Sequence, residues 1–298
     1  MTICIATRTL GMVILISDRM ITTGDMEFEP DAPKIHQLTS SISIMYSGDA
    51  HFFAEVHQDL LREVRRRIDE NPDDWLQVRD VAGLWSKFYT EARMRHAEPN
   101  VLGPYGLTRK TLVEKWAALG PDLGEKLMAK MLAYPIPSVE VIIAGVDLRH
   151  GYALPTIWQC LDEDTMCADQ FSFVSIGTGT RHAEAHLMLA NYRWNTPNGD
   201  ALLITYTAKR NAEVAPGVGA DTDIWVIGGN VGQTNVLPDY LVKKLEQEYQ
   251  KVRAAENRAR LRGRNAVAAF IDQAVAQRAQ QISPADGTTQ NKAPETAH

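Results

Sequence analysis

Thr2 offers the most chemistry of any residue in this 298-residue chain. Initiator Met is normally trimmed when a small residue follows it. Trimming Met1 would leave one residue carrying both a hydroxyl and a free α-amine. Such an amine titrates near roughly 7.7–8.0, so a useful share is neutral at physiological pH. An N-terminal threonine thus combines nucleophile and general base. Three further residues follow at set distances: Asp18 lies 16 positions beyond Thr2, Lys34 lies 32 and Gly48 lies 46. With each type expected about once in twenty positions, all four at preset sites arise by chance on the order of once in 10⁵.

Strand-forming segments must hold these residues. Ile3 to Thr7 is β-prone, Leu10-Gly11 turns, and Met12 to Ser17 is a β-branched run of buried-strand length. Ile35 to Leu38 and Ile42 to Tyr46 are further short strands, closed by Gly48-Asp49, where Asp49 caps a helix. That helix carries Phe53, Val56, Leu60 and Val64 on one stripe, with Arg65, Arg66 and Arg67 at its cation-favouring end. The pattern predicts helices over 75–96 and 107–133, the latter broken at Gly120-Pro121. Strands follow near 139–146, 153–160 and 171–176, then helices over 182–192 and 201–214 and a strand over 223–227. Residues 237–280 read as one long helix, striped by Leu241, Leu245, Tyr249 and Val252. Grouped strands and grouped helices imply α+β packing and not alternating βαβ units. Arg253, Arg258, Arg260, Arg262 and Arg264 read as a solvated helix face, with docking to a neighbouring subunit as the alternative. Residues 283–298 lack large apolar side chains and read as a disordered tail.

Composition excludes several classes. There are 31 Lys+Arg against 37 Asp+Glu, a net charge of −6, and this mild acid excess argues against a nucleic-acid partner. No apolar run approaches the roughly 18–20 residues that span a bilayer. Met12–Ile16 is apolar but lacks a basic lead and is followed by Asp18-Arg19, so it reads as part of the fold and not as a signal peptide. Cys4, Cys160 and Cys167 form neither a CxxC pair nor an even disulfide framework. Reduced thiols and the absence of an export signal predict a cytoplasmic protein.

The first fifty residues resemble the proteasome β-subunit family of N-terminal-nucleophile hydrolases. The match runs without a gap from Thr2 to about Ala50, through the strand ending in Asp18, Gly24, Lys34-Ile35 and Ser47-Gly48-Asp49-Ala50. Farther on, Gly177-Thr178-Gly179-Thr180, with Ala183 and Leu187, is similar to the family's Gly-Ser-Gly-Ser strand-to-helix turn. The resemblance covers about 2–66 and 138–230. It implies a four-layer αββα sandwich over 2–235, with a helical insertion at about 68–136 and a C-terminal helical extension over 236–282.

What the resemblance implies for mechanism is specific. Thr2 Oγ attacks a carbonyl while its own amine takes the proton. Lys34 disfavours cationic forms nearby and stabilises the developing alkoxide. Asp18 pairs with Lys34, the Gly48 N–H faces the oxyanion, and Thr178 hydrogen-bonds near the amine. An acyl-enzyme on Thr2 is then hydrolysed by water, with no cofactor and no metal. Asn211 and Val214 stand where the family has an acid and a serine, which weakens support for the amine. Ile21, Ala32, Tyr46 and Ala50 fall at pocket positions and imply a preference for small or medium uncharged side chains. The expected partners are a peptide or unfolded-protein substrate and further copies in a ring or stacked homo-oligomer; an ATPase partner is left unassigned.

Two other readings compete. One is an inactive scaffold subunit, favoured by Asn211 and Val214. The other is nucleotide binding at Gly177–Thr180, where a helix N-terminus follows a strand. That turn lacks the third glycine of GxGxxG and the lysine of a P-loop. His182 and His186 share a helix face without a third metal ligand, and His51 and His57 read as ordinary helix positions. Trp75, Trp85 and Trp116 read as packing for the inserted helices.

Overall fold

The computed structural model describes residues 2–23, 26–29, 33–149, 151–228 and 233–282. The fold is mixed α+β, with eight α-helices among the described residues. Two compact units are present, one ending at Glu246 and one beginning at Gln247.

The first unit holds two five-stranded antiparallel sheets. One runs β10(Phe173–Ile176), β1(Cys4–Arg8), β2(Met12–Asp18), β11(Thr222–Gly228), β12(Thr234–Val236). The other runs β5(Ile35–Gln37), β6(Ile42–Gly48), β7(Val139–Arg149), β8(Tyr152–Leu161), β9(Asp164–Cys167). A separate hairpin joins β3(Ile21–Thr23) to β4(Met26–Phe28).

Strand alternation decides which residues face what. Cys4, Ala6, Val13 and Leu15 of the first sheet share one core with Met45, Ile142, Ala144 and Val146 of the second. The alternate residues of the second sheet, Ile42, Ile44, Val139, Val141 and Ile143, pack with α1(Ala50–Glu70) and α2(Val78–Val101). Behind the first sheet, α6(Thr180–Leu189) and α7(Asn198–Ala212) contact β10, β1 and β2. There, Thr7 Oγ1 meets Thr205 Oγ1 at 2.9 Å. Covered on both faces, β1 and β2 read as nearly unbroken apolar runs.

The Asp49 side chain caps α1, accepting from Phe52 N at 2.7 Å, and the predicted stripe Phe53, Val56, Leu60 and Val64 is buried. After α2 the chain builds a core of its own. Ala97, Leu102, Leu107, Leu112, Leu127 and Met131 cluster among α2, α3(Arg109–Glu114) and α5(Pro121–Leu132). Trp116, at the start of α4(Trp116–Leu119), packs against that cluster, while Trp85 is buried between the second sheet and α1. The break expected at Gly120-Pro121 stands between α4 and α5.

The last helix, α8(Asp239–Ile282), runs from the first unit into the second. From Gln250 to Arg278 its residues are exposed, and the five predicted arginines face solvent. Arg253 donates to Tyr249 Oη at 2.8 Å. No helix among the described residues is long and apolar enough to cross a membrane. The tail read over 283–298 lies outside the described residues.

Candidate active site

Thr2 leads into β1 and is 5% exposed. Its Oγ1 accepts a hydrogen bond from Lys34 Nζ, and the same ammonium donates to Asp18 Oδ1 at 2.8 Å. The Lys34–Asp18 pair is buried, a setting in which a charge needs full hydrogen bonding to persist. Asp18, the last residue of β2, supplies it. Oδ1 also accepts from Ile3 N at 3.0 Å, while Oδ2 accepts from Met20 N at 3.2 Å and Gly219 N at 3.0 Å. Four donors thus fix one carboxylate that fixes the lysine at Thr2.

A second element closes over Thr2 from β10. Gly179 N donates to Thr2 O at 3.3 Å, and Gly177 has φ +96°. A Cβ on Gly177 would overlap the Thr2 carbonyl oxygen and stand 2.9 Å from its carbonyl carbon and 3.0 Å from Ser47 Oγ. Glycine is required there both for its backbone conformation and for this close approach. The Gly177 N–H is held by Glu140 Oε2 at 3.1 Å, from the β7 residue paired with Ser47. Ser47 therefore borders the same turn, and Gly48 follows it at the exposed end of β6. Gly48 has φ +108°, and a Cβ there would collide with Ser138 O and stand 3.1 Å from Val139 Cα.

Of the residues singled out by sequence, Thr2, Asp18 and Lys34 form one hydrogen-bonded group, with the Gly177–Thr180 turn on the Thr2 backbone. Thr178 is exposed on that turn. Asn211, on α7, bonds His186 Nδ1 through Nδ2 at 3.1 Å and so ties α7 to α6. Val214 is exposed. Ala50 is exposed at the start of α1, Ile21 is half-buried, and Ala32 and Gly24 lie outside the described residues, as does Met1.

Tyr46 is half-buried on β6. Its ring stacks on Phe53 with centroids 3.9 Å apart and belongs with the core beneath α1. Alternation along β6 turns it to the face opposite its neighbour Ser47, which borders Thr2. His57 lies on the half-buried side of α1, stacking on Phe53 one turn away at 5.0 Å and lying 5.1 Å from His36 between ring centroids. The two Nε2 atoms are buried and have no hydrogen-bond partner among the described residues. Burial lowers the pKa of both rings. For His57, burial and the neighbouring His36 together bring it to about 4.

Two residues with no role in the sequence reading belong to this region. Glu140 anchors the turn on Thr2, and its only sequence signal is an acid within the buried run Val139-Glu140-Val141. Lys209 is fully buried on α7, and its Nζ donates to Glu213, Gly219 and Ala220. Its signal is a lysine on the helix stripe of Ala201, Thr205, Ala208 and Ala212. Cys4 is buried beside Lys34 and Asp18, and desolvation raises its thiol pKa far enough to leave it unreactive.

The Gly177–Thr180 turn is poorly equipped to take a phosphate. Gly177 N is bound to a carboxylate, Gly179 N to Thr2 O and Thr180 N to Gly177 O. A cleft of about 530 Å³ among Arg19, Arg210, Asp221 and Lys243 has none of the candidate residues in its wall. No protein-family model and no curated protein matches the chain.

Proposed function

We propose that this chain is a threonine-type amide hydrolase of the N-terminal-nucleophile kind, acting on peptide bonds through Thr2 after removal of Met1. One observation carries the reading: Thr2 Oγ1 accepts from a buried lysine whose other partner is the buried Asp18. An ammonium there stabilises an alkoxide as it forms and disfavours a second cation at the adjacent α-amine, keeping that amine available as base. Attack on a carbonyl gives an acyl-enzyme on Thr2, and water completes the hydrolysis.

The paired sheets, with helices packed on the far face of each, support the finer reading of a four-layer αββα sandwich. Residues 68–136 would hold its helical insertion and 236–282 its C-terminal extension. A homo-oligomer in the cytoplasm, with peptide or unfolded protein as substrate, completes the proposal. Two observations favour the inactive-scaffold reading instead: Asn211 is engaged by His186, and Val214 is exposed. Nucleotide binding is disfavoured by the occupied donors of the Gly177 turn.

Intact-mass analysis with a threonine-directed peptide epoxyketone tests the proposal. A chain lacking Met1 and labelled at Thr2, with labelling and peptide hydrolysis both lost in Thr2→Ala, is the expected result. Retained Met1, or a Thr2→Ala chain as active as wild type, overturns it. A chain that lacks Met1 yet is neither labelled nor hydrolytic favours the scaffold.

A further inference from the structure

A second buried lysine stands behind the Asp18–Lys34 pair. Lys209 Nζ donates to Glu213 Oε1 at 2.6 Å, to Gly219 O at 2.9 Å and to Ala220 O at 2.8 Å, which uses all three of its protons. Gly219 in turn donates its N–H to Asp18 Oδ2 at 3.0 Å. From Lys209 a continuous series of hydrogen-bonded residues leads through Gly219, Asp18 and Lys34 to Thr2. A buried ammonium is costly to desolvate, and an apolar side chain would suit this stripe of α7 equally well. The lysine is thus explained by what it holds.

We propose that Lys209 is a positioning residue for Thr2: through Gly219 it fixes the orientation of the Asp18 carboxylate, and its charge, balanced by Glu213, sets the pH at which Thr2 is acylated. The inference rests on Thr2 being the nucleophile. Charged groups among the described residues face Lys209 from several elements. Glu213 and Arg210 lie on its own helix, where Arg210 Nη1 also meets Glu213 Oε1 at 2.9 Å. Arg210 Nε is 3.5 Å from Glu246 Oε2 of α8. Asp18 faces Lys209 from β2, and Glu29, beyond β4, borders Gly219. Burial lowers the Lys209 pKa while Glu213 and Asp18 oppose that shift, so the ammonium depends on its carboxylate neighbours.

Toward Thr2, the Lys209–Glu213 pair is close to neutral. Lys209→Met removes one positive charge, leaving Glu213 paired with Arg210 alone, and favours the protonated amine, whereas Glu213→Gln removes the negative charge and disfavours it. The test is the rate of epoxyketone labelling at Thr2 of the full-length chain, followed by intact mass from about pH 5.5 to 9. The acid-side midpoint should rise by about half a unit in Lys209→Met and fall by about as much in Glu213→Gln. A lysine that only packed would lower labelling at every pH without opposed shifts. Both midpoints unmoved, or moved the same way, overturns the role of Lys209. A wild-type chain that is never labelled overturns the Thr2 reading itself. Should Lys209→Met fail to fold, Glu213→Gln decides alone, a downward shift supporting the proposal and an unmoved midpoint overturning it.

Discussion

Gly219 and Asp18 are joined by a 3.0 Å hydrogen bond across 201 residues of sequence, backbone N–H to Oδ2. This bond brings the loop before β11 onto the end of β2, where Asp18 also receives Ile3 N, Met20 N and Lys34. A fully buried carboxylate with four donors is saturated, and its rotamer is fixed from three directions of the chain. Whatever Lys34 does at Thr2 depends on that rotamer.

Asp18→Ala removes the acceptor of all four donors and leaves Lys34 as an unpaired buried cation. Stability in urea should fall by about 3–5 kcal/mol, and labelling of Thr2 should be lost. Asp221→Ala, in the exposed loop nearby, is the control and should change stability by less than about 0.5 kcal/mol. A loss below about 1 kcal/mol at Asp18 would show that the pair is not a structural requirement.

A methyl group at position 177 tests the close approach of the turn to Thr2. Gly177→Ala combines a left-handed φ of +96° with overlap of the Thr2 carbonyl. It should destabilise the fold by roughly 2 kcal/mol or more and suppress labelling. Gly199→Ala, in α7 with open space around it, should be neutral or stabilising by up to about 1 kcal/mol. Equal effects at the two glycines would remove the close contact as a requirement.

How far the sequence foretells this arrangement depends on where each residue's partners lie. The runs of β1, β2, β6 and β7 are legible because their residues are buried on both faces and β-rich. The short strands β3, β4, β9 and β12 carry no run of β-prone residues long enough to read and are recognised through their pairing, whereas the equally short β5 and β10 lie in apolar runs. Thr2, Asp18 and Lys34 stand out in the sequence by residue type and spacing. Lys209 does not, because two of its partners are backbone carbonyls, which no side-chain pattern encodes.

Acid should weaken the fold through the His36–His57 contact. His57 titrates at 6.5 when free of the fold and at about 4 within it, lowered by burial and then by His36. Between those values the unfolded chain binds more protons, so stability is full above pH 6.5 and declines as pH falls toward 4. Thermal melts across that range should show a steady fall in Tm that His57→Leu reduces. A slope identical in wild type and variant would assign the acid sensitivity to other groups.

Glu140 separates hydrogen bonding from charge in what holds the turn over Thr2. Its Oε2 accepts from Gly177 N at 3.1 Å, and its backbone pairs with Ser47, so one residue of β7 connects the turn to the strand that ends in Gly48. If the acceptor matters, Glu140→Gln keeps an oxygen for Gly177 and should label at Thr2 within about twofold of wild type. Glu140→Ala leaves the N–H without that partner, which should reduce stability by about 1–2 kcal/mol and slow labelling by about tenfold. If the negative charge matters instead, both variants should be impaired alike, and the acid-side midpoint of labelling should fall in each, since a carboxylate near an amine favours its protonated form. Measuring stability and the pH profile on the same pair of variants decides between the two, and wild-type behaviour in Glu140→Ala would show that the turn holds its place over Thr2 through Gly179 alone.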